Sequence, residues 1–142
     1  MYARIRSVVP QDSEELIRLA DELIQLDNRA ERESMLVESF QDANHEIYVA
    51  DVEGKLVGFI ELRIFPDFVE GAPIAIIQNL IVEKHYRGFG IGSKLLQRAI
   101  REARRRIACE IHVWTEFENY EAINFYTKHG FTRRALLLEK ET

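Results

Sequence analysis

Apolar positions recur along the chain at two spacings, one typical of amphipathic helices and the other typical of strands. Helical spacing predicts four helices, at about residues 13–26, 30–41, 90–103 and 119–129. Strand-like runs fill six further segments, at about residues 2–8, 47–52, 56–65, 74–82, 108–115 and 131–138. The predicted order along the chain is therefore β, α, α, β, β, β, α, β, α, β.

Two features refine this pattern in the middle of the chain. Glu53-Gly54 separates two strand-like runs and is typical of a tight hairpin turn. Residues 74–82 are almost continuously apolar, as expected for a central strand that is covered on both faces. Gln78 and Asn79 interrupt this run. Because buried amides need hydrogen-bond partners, these two residues predict either a satisfied contact with a neighbour or a β-bulge.

Length and composition are those of an ordinary globular protein. The chain has 142 residues, of which 46% are hydrophobic and 30% are charged, and this fits one domain spanning residues 1–142. No apolar run approaches the roughly 18 residues that a membrane span needs, and the N-terminus lacks the apolar stretch of a signal peptide. We therefore expect a cytoplasmic protein that does not enter a membrane.

The net charge and the positions of cysteine and histidine limit the kinds of ligand that we expect. The net charge of −5 has the wrong sign for binding nucleic acid, so a cationic small molecule is the more natural partner. Cys109 is the only cysteine. It lies in an apolar run, so we expect a packed strand thiol rather than a nucleophile. His112 has no second ligand at metal spacing, and no metal site is expected.

The stretch from Ile77 to Leu96 carries the clearest chemistry. It combines a buried strand, a loop rich in arginine and glycine, and the start of a helix. Glycines at 88, 90 and 92 let a ligand approach the backbone closely. A helix that begins near Gly90 leaves its first N–H groups without intrahelical partners, and Arg87 adds a fixed positive charge. Together these groups suit a pyrophosphate.

Two other glycine-rich devices fit this stretch less well. A P-loop requires Gly-Lys-Ser/Thr, whereas the order here is Gly92-Ser93-Lys94. A dinucleotide-binding fingerprint requires glycine where this chain has Ser93, although Glu110 lies roughly 20 residues further on, as the acidic residue of that fingerprint would. The fingerprint should also follow the first strand of a βαβ unit, and the preceding residues show no such unit.

Two motifs carry a family resemblance. The spacing Arg87-x-x-Gly90-x-Gly92, after the strand Asn79-Leu80-Ile81-Val82, resembles the acyl-CoA loop of the GNAT superfamily of N-acetyltransferases. The segment from Asn119 to Phe131 resembles that family's Asn-x-x-Ala-x-x-Phe-Tyr-x-x-x-Gly-Phe helix. The order of elements matches the family across nearly the whole chain. The resemblance implies an α/β fold with a single layer of mostly antiparallel strands, splayed at its centre, and helices on both faces.

The resemblance also implies acetyl transfer from acetyl-CoA to a primary amine, by direct attack in a ternary complex. Arg87 and the backbone N–H groups that follow it would hold the pyrophosphate, while Leu80 and Val82 would align the pantetheine arm. The residues implied in CoA binding belong to the two motifs and the strand before them: Leu80, Ile81, Val82, Arg87, Gly88, Phe89, Gly90, Ile91, Gly92, Ser93, Asn119, Tyr126 and Lys128.

Catalytic roles follow from the same resemblance. It implies that Tyr126 lies near the thioester sulfur. A phenol of ordinary pKa is protonated at neutral pH and can donate to a departing thiolate, so general acid is the favoured role. Packing with Phe125 and Phe131 is the alternative role of this tyrosine. A backbone N–H near Leu80 could stabilise the oxyanion of the tetrahedral intermediate.

The general base is not obvious from the sequence. An alkyl amine is almost entirely protonated near pH 7, so some group must accept its proton. Some relatives carry glutamate at a strand position that is Ile76 here, and the chain departs from the pattern at that point. One candidate is a water chain through Asn79 or Gln78. The other is Glu61, which would have no catalytic role if it belongs to a solvated face of its strand.

Several functional alternatives stay open. The expected acceptor is a small cationic amine. A protein or peptide N-acetyltransferase would share the same cofactor site and differ in its acceptor groove. A non-catalytic acyl-CoA sensor would keep residues 87–93 and could do without Tyr126. Homodimer formation also stays open.

Overall fold

Five strands lie in one sheet in chain order, β1-β2-β3-β4-β5, in a computed structural model that describes all 142 residues. The strands are β1 (Arg4–Ser7), β2 (His45–Val52), β3 (Lys55–Asp67), β4 (Ala72–Val82) and β5 (Glu110–Val113). The helices are α1 (Ser13–Ala20), α2 (Arg29–Phe40), α3 (Ile91–Arg105) and α4 (Tyr120–Lys128). The pairs β1–β2, β2–β3 and β3–β4 are all antiparallel, as the predicted fold class requires.

The chain divides into two compact units. The first comprises Met1–His112 and contains β1 to β4, α1 to α3 and most of β5. The second comprises Val113–Thr142 and contains α4. None of the helices combines the length and apolar character that crossing a membrane demands.

In the first unit, helices cover both faces of the sheet. Residues of α1 pack on one face against alternate residues of β2, β3 and β4, in a core cluster of Leu16, Leu19, Ile47, Val49, Leu56, Phe59 and Ile81. The opposite face meets α3, where the Arg98 guanidinium stacks over the ring of buried Tyr48 at 4.4 Å from its centroid. Since successive residues of a strand point to opposite faces, the odd-numbered residues of β2 face α1 and the even-numbered residues face α3.

The predicted hairpin and the predicted bulge are both present. Glu53 and Gly54 adopt positive φ values of 51° and 89°, which is the backbone form of a tight turn that matches the twist of its strands. In the β3–β4 pair, Glu61 lies opposite Asn79 whereas Leu62 lies opposite Ile77, so Gln78 is the extra residue of a β-bulge.

Helix α1 is shorter than its apolar spacing predicted. It ends at Ala20, and Leu23, Ile24 and Leu26 are about half exposed rather than packed in the core. The Arg32 side chain donates to the Ile24 carbonyl at 2.6 Å and also pairs with Asp21. The connection to α2 is therefore fixed by a side chain from α2, which periodicity within α1 cannot reveal.

The predicted last strand, at residues 131–138, is absent. Residues 131–142 have no regular secondary structure, and Leu136, Leu137 and Leu138 are exposed. A strand exists only where its backbone groups pair with a neighbour, and this segment has no such partner in the structure. Gly130 does end α4, as predicted, with a φ of 92°.

Gly58 lies in β3 where the backbone of β4 leaves no room for a side chain, and this leads to a stability prediction. A Cβ at this position would lie 2.7 Å from the Ile81 carbonyl oxygen, and strand backbone cannot easily move aside. We expect Gly58→Ala to lower the free energy of unfolding by about 1–3 kcal/mol. Urea denaturation would measure this, with exposed Ser34→Ala as a control expected to change stability by less than about 0.5 kcal/mol. Equal stability of the two variants would contradict the close packing of β3 on β4.

Candidate active site

The glycine-rich loop ends in an open helix N-terminus. Gly88 and Gly90 have φ values of 84° and 81°, a region that residues with a Cβ rarely adopt. Helix α3 starts at Ile91, and its first backbone bond runs from the Lys94 N–H to the Gly90 carbonyl, without a side-chain cap. The N–H groups just before Lys94 are therefore free to bind an anion, and the helix dipole favours negative charge there.

Arg87 is held against the end of β4. Its Nε donates to the Val82 carbonyl at 2.7 Å, and the side chain is otherwise exposed. This bond uses one of the five N–H donors of the guanidinium and leaves the terminal nitrogens for a ligand. The positive charge is thus fixed between the strand and the loop.

The backbone of β4 beyond the bulge presents N–H and C=O groups to the side away from β3. The Glu83 N–H donates to the Val57 carbonyl, so these two residues form a hydrogen-bonded pair of the antiparallel ladder. Pairs alternate along such a ladder, so the N–H and C=O groups of Leu80 and Val82 point away from β3. They point towards the side on which β5 follows in the sheet.

Strand β5 is too short to cover these groups. The Cys109 N–H, just before β5, donates to the Pro73 carbonyl near the start of β4. Four residues of strand span about 13 Å, whereas the seven residues from Pro73 to Leu80 span about 23 Å. Strand β5 therefore leaves the outward groups of Leu80 and the Val82 N–H available to a strand-like ligand, while the Val82 carbonyl accepts from Arg87 Nε.

A polar cluster lies at the bulge, on the face of the sheet that packs on α1. Glu61 Oε2 lies 2.6 Å from His45 Nε2, and Glu61 Oε1 accepts from Asn79 Nδ2 at 2.8 Å. The side chains of His45 and Glu61 are only 9% and 20% exposed. Burial alone would raise the pKa of the Glu61 carboxyl, but the hydrogen bonds from His45 and Asn79 outweigh burial and lower it. Glu61 is therefore ionised at neutral pH.

In the second unit, two predicted residues have clear local roles. The Asn119 side chain caps α4 by accepting from the Ala122 N–H at 3.1 Å, as predicted. Tyr126 is buried and packs edge-on against Phe125 and Phe131, with ring centroids 5.1 and 5.5 Å away. Burial raises the pKa of Tyr126 to about 12, so the phenol keeps its proton. Lys128, near the end of α4, is exposed.

The remaining predicted residues differ in what they offer a ligand. Phe89 is exposed at the tip of the loop. Ile91 is buried, so only its backbone can reach a ligand, as is also expected for the half-buried Gly92 and Ser93. Ile81 is buried in the core, and its backbone groups pair with Phe59.

His45 is the residue of this region that the sequence did not single out. It lies at the start of β2, directly opposite Arg63 and diagonal to Glu61. Sixteen positions separate it from Glu61, so only the register of the β2–β3 hairpin brings the two together. The turn at Glu53-Gly54 does not fix this contact by itself, because a register shift between Ala50 and Asp51 places His45 opposite Arg63 rather than Leu62.

The expectation of a packed thiol at Cys109 is wrong, because this residue is exposed and precedes β5 at the sheet edge. Desolvation and the nearby carboxylates of Glu70 and Glu110 raise the pKa of its thiol, which disfavours the reactive thiolate. His112 lies in β5 with Nε2 at 3.2 Å from Glu110 Oε1.

Comparison with solved structures finds the same fold in other proteins. A transcriptional regulator from Bacillus halodurans C-125 has a TM-score of 0.91 and 25% identity, and the match covers 99% of this chain and all of that one. An aminoglycoside N-acetyltransferase in complex with CoA has a TM-score of 0.87 at 20% identity, covering 99% of this chain and 96% of that one. At such identity the likeness shows the fold alone.

Three curated relatives give the family context. An N-alpha-acetyltransferase of Sulfolobus acidocaldarius is 30% identical, covering 85% of this chain and 82% of its own length. An uncharacterized N-acetyltransferase of Methanocaldococcus jannaschii is 33% identical over 63% of this chain, which spans only 40% of that relative. A probable spermine N(1)-acetyltransferase of Bacillus subtilis subsp. natto is 33% identical over 56% of this chain and 54% of its own length.

The sequence profile of the Acetyltransferase (GNAT) family matches residues 14–131, which include both motifs and most of the elements described above. The family prediction, a superfamily of N-acetyltransferases that use acetyl-CoA, is confirmed by this match and by the archaeal relative that covers most of the chain. The chain belongs to the GNAT family of acetyltransferases.

Proposed function

We propose that this protein transfers the acetyl group of acetyl-CoA to a primary amine of a small cationic molecule, by direct attack in a ternary complex. The observation that carries the proposal is the pairing of a free helix N-terminus with an open strand edge. The loop at residues 87–93 offers unpartnered N–H groups beside a fixed arginine, and the adjacent edge of β4 offers both outward groups of Leu80 and the outward N–H of Val82.

CoA would use both features at once. Its pyrophosphate would lie on the N–H groups from Gly88 to Ser93, beside Arg87. The amide-bearing pantetheine arm would run along β4 as an added strand, bonded to Leu80 and Val82. The Leu80 N–H would then be placed to stabilise the oxyanion that forms when the amine attacks the thioester.

The family resemblance gives further roles to three residues of the second unit. Tyr126 would give its proton to the departing thiolate, and its raised pKa keeps that proton in place at neutral pH. Asn119 and Lys128 are proposed as further CoA contacts. The proton of the attacking amine would leave through a water held by Asn79 or Gln78, with Glu61 as the alternative acceptor.

The acceptor proposal rests on charge. With 24 acidic and 19 basic residues, the protein has a net charge of −5, and its field attracts cations. The relative named as a probable spermine acetyltransferase is consistent with a polycationic acceptor. The second candidate function is acetylation of protein N-termini, which is favoured by the N-alpha-acetyltransferase that matches 85% of the chain. A cytoplasmic location stays a prediction.

An amine panel distinguishes these two functions. Release of the CoA thiol would be followed with polyamines, aminoglycosides, neutral amines and peptides with free N-termini as acceptors. We expect turnover with the cationic small molecules, and we expect kcat/KM to fall as salt rises to physiological ionic strength, where the Debye length is about 8 Å. Preferential, salt-independent acetylation of peptides would support the second candidate instead.

A further inference from the structure

The electrostatic environment of Glu61 is unusual for an ionised carboxylate. Four-fifths of the side chain is buried, yet no lysine or arginine lies within ion-pair distance of it. Arg63, on the same strand, pairs instead with Asp42 at 3.6 Å. The groups that contact Glu61 are the His45 imidazole and the Asn79 amide. The carboxylate is therefore held by hydrogen bonds from two side chains and has no direct ion pair with lysine or arginine.

This arrangement suits Glu61 to the role of an anchor, a fixed carboxylate that binds a cation, better than to the role of a general base. A carboxylate whose pKa is lowered is a weak proton acceptor, but it stays charged over a wide pH range. Two donors from neighbouring strands fix both of its oxygens, and each oxygen keeps a further lone pair for a ligand. A partly buried carboxylate whose two oxygens are oriented by hydrogen bonds, and which has no direct ion pair with lysine or arginine, is a binding point for a cation.

The position of Glu61 on the sheet relates it to the proposed reaction centre. Glu61 lies directly opposite Asn79 in the β3–β4 pair, and Asn79 is the residue before Leu80. Leu80 is the residue whose N–H is proposed to stabilise the oxyanion. The anchor is therefore one residue along the sheet from the proposed point of attack, displaced to the face that packs on α1. An acceptor with two amino groups could use both positions.

We propose that Glu61, oriented by His45 and Asn79, binds a second, non-reacting ammonium group of the acceptor, which makes a diamine or polyamine the preferred substrate class. This inference rests on the proposed acetyltransferase function and deepens it. Glu61 is thereby a specificity-determining residue, and His45 is a positioning residue that acts through it. Because Glu61 binds the second ammonium group, the reacting amine is not paired with a carboxylate. Such a pair would stabilise the protonated form of the reacting amine and make loss of its proton less favourable.

Matched acceptors test the proposal directly. Putrescine and cadaverine would be compared with butylamine and pentylamine, which have the same carbon chains and lack the second amino group. The wild-type enzyme is expected to prefer each diamine by about 10- to 100-fold in kcat/KM, the range for a charge-assisted hydrogen bond. Glu61→Gln should lose that preference, so that kcat/KM for each diamine falls to about the value for its matched monoamine in the same variant, while KM for acetyl-CoA stays unchanged.

Variants at His45 and Glu46 provide the controls. His45→Phe removes the imidazole that donates to Glu61 and should lower the diamine preference several-fold. His45→Gln places an amide nitrogen near the former Nε2 and should retain the diamine preference. Glu46→Gln removes a half-buried carboxylate on the other face of β2, and it should leave the diamine preference unchanged. Thermal melting of each variant would show that the fold is kept.

Each outcome has a distinct meaning. If the wild type acetylates monoamines and diamines equally well, the anchor is overturned while the acetyltransferase function stands. If Glu61→Gln slows both acceptor classes equally, Glu61 acts on the reacting amine and the anchor is likewise overturned. If no amine is acetylated by the wild type, the proposed function itself fails and the inference fails with it.

Discussion

Replacing Gly90 with valine is expected to abolish CoA binding. Gly90 has a φ of 81°, and it is the residue at which the loop becomes helix α3. A β-branched residue is strained in this backbone region by roughly 1–3 kcal/mol, so the loop would relax and its N–H groups would no longer converge. A Cβ at this position meets no protein atom within 4 Å, so the effect of the substitution would come from backbone strain and from the space that the side chain takes at the proposed site, not from a clash within the protein.

Gly71→Val is the matched control for this variant. Gly71 also has a positive φ, of 69°, and a Cβ there also meets no atom within 4 Å. It lies just before β4, at the opposite end of that strand from the loop. Calorimetric titration should show CoA binding to this control with wild-type affinity, and affinity lowered beyond measurement in the Gly90 variant. Wild-type affinity in both variants would place the CoA site elsewhere.

Removing the Tyr126 hydroxyl is expected to lower kcat by about 10²-fold, as for loss of a general acid. The phenylalanine variant keeps the aromatic packing against Phe125 and Phe131, so the fold and the affinity for acetyl-CoA should change little. Because burial raises the pKa of Tyr126 to about 12, the proton is retained as pH rises. We therefore expect no alkaline loss of kcat from Tyr126 up to about pH 10, the ordinary pKa of tyrosine.

Tyr120→Phe serves as the control, since Tyr120 opens the same helix and is 65% exposed. Steady-state kinetics with a fixed amine would compare the two variants. A kcat near the wild-type value in the Tyr126 variant would show that this tyrosine only packs, and would move weight towards a non-catalytic acyl-CoA sensor. Equal losses in both variants would point to a general effect on α4.

The parts of the fold that depend on local patterns were predictable from the sequence. The tight turn at Glu53-Gly54 and the amides that interrupt an apolar strand each have a local physical cause, and both the hairpin and the bulge at Gln78 are present. The glycine-rich loop was also predictable from the sequence. Backbone positions with positive φ favour glycine, and the start of a helix leaves N–H groups without intrahelical partners.

Features that depend on distant partners were not predictable in the same way. Apolar spacing continued α1 past Ala20, but Arg32 from the next helix binds the carbonyl of Ile24 and fixes a turn instead. The apolar run at residues 131–138 has the composition of a strand and lacks a neighbour to pair with. Pairing is a property of two segments, so the composition of one segment cannot establish it.

The candidate site shows the same division. The loop residues are contiguous in sequence, and their spacing carries the resemblance that the family match confirms. Glu61 was only one candidate among several, because its partners His45 and Asn79 come from two other strands. The exposed position of Cys109 depends on its place at the sheet edge, which the apolar run around it did not reveal.

The most direct test of the proposed acetyl transfer is the mass balance of a single reaction. Purified protein would be incubated with acetyl-CoA and a polyamine, and mass spectrometry would quantify the acetylated amine while a thiol assay quantifies free CoA. Acetyl transfer from acetyl-CoA to the amine predicts equal amounts of both products, formed by the wild type and absent with the Gly90→Val variant. Release of CoA without an acetylated amine, or an acetylated product formed equally by that variant, would contradict it.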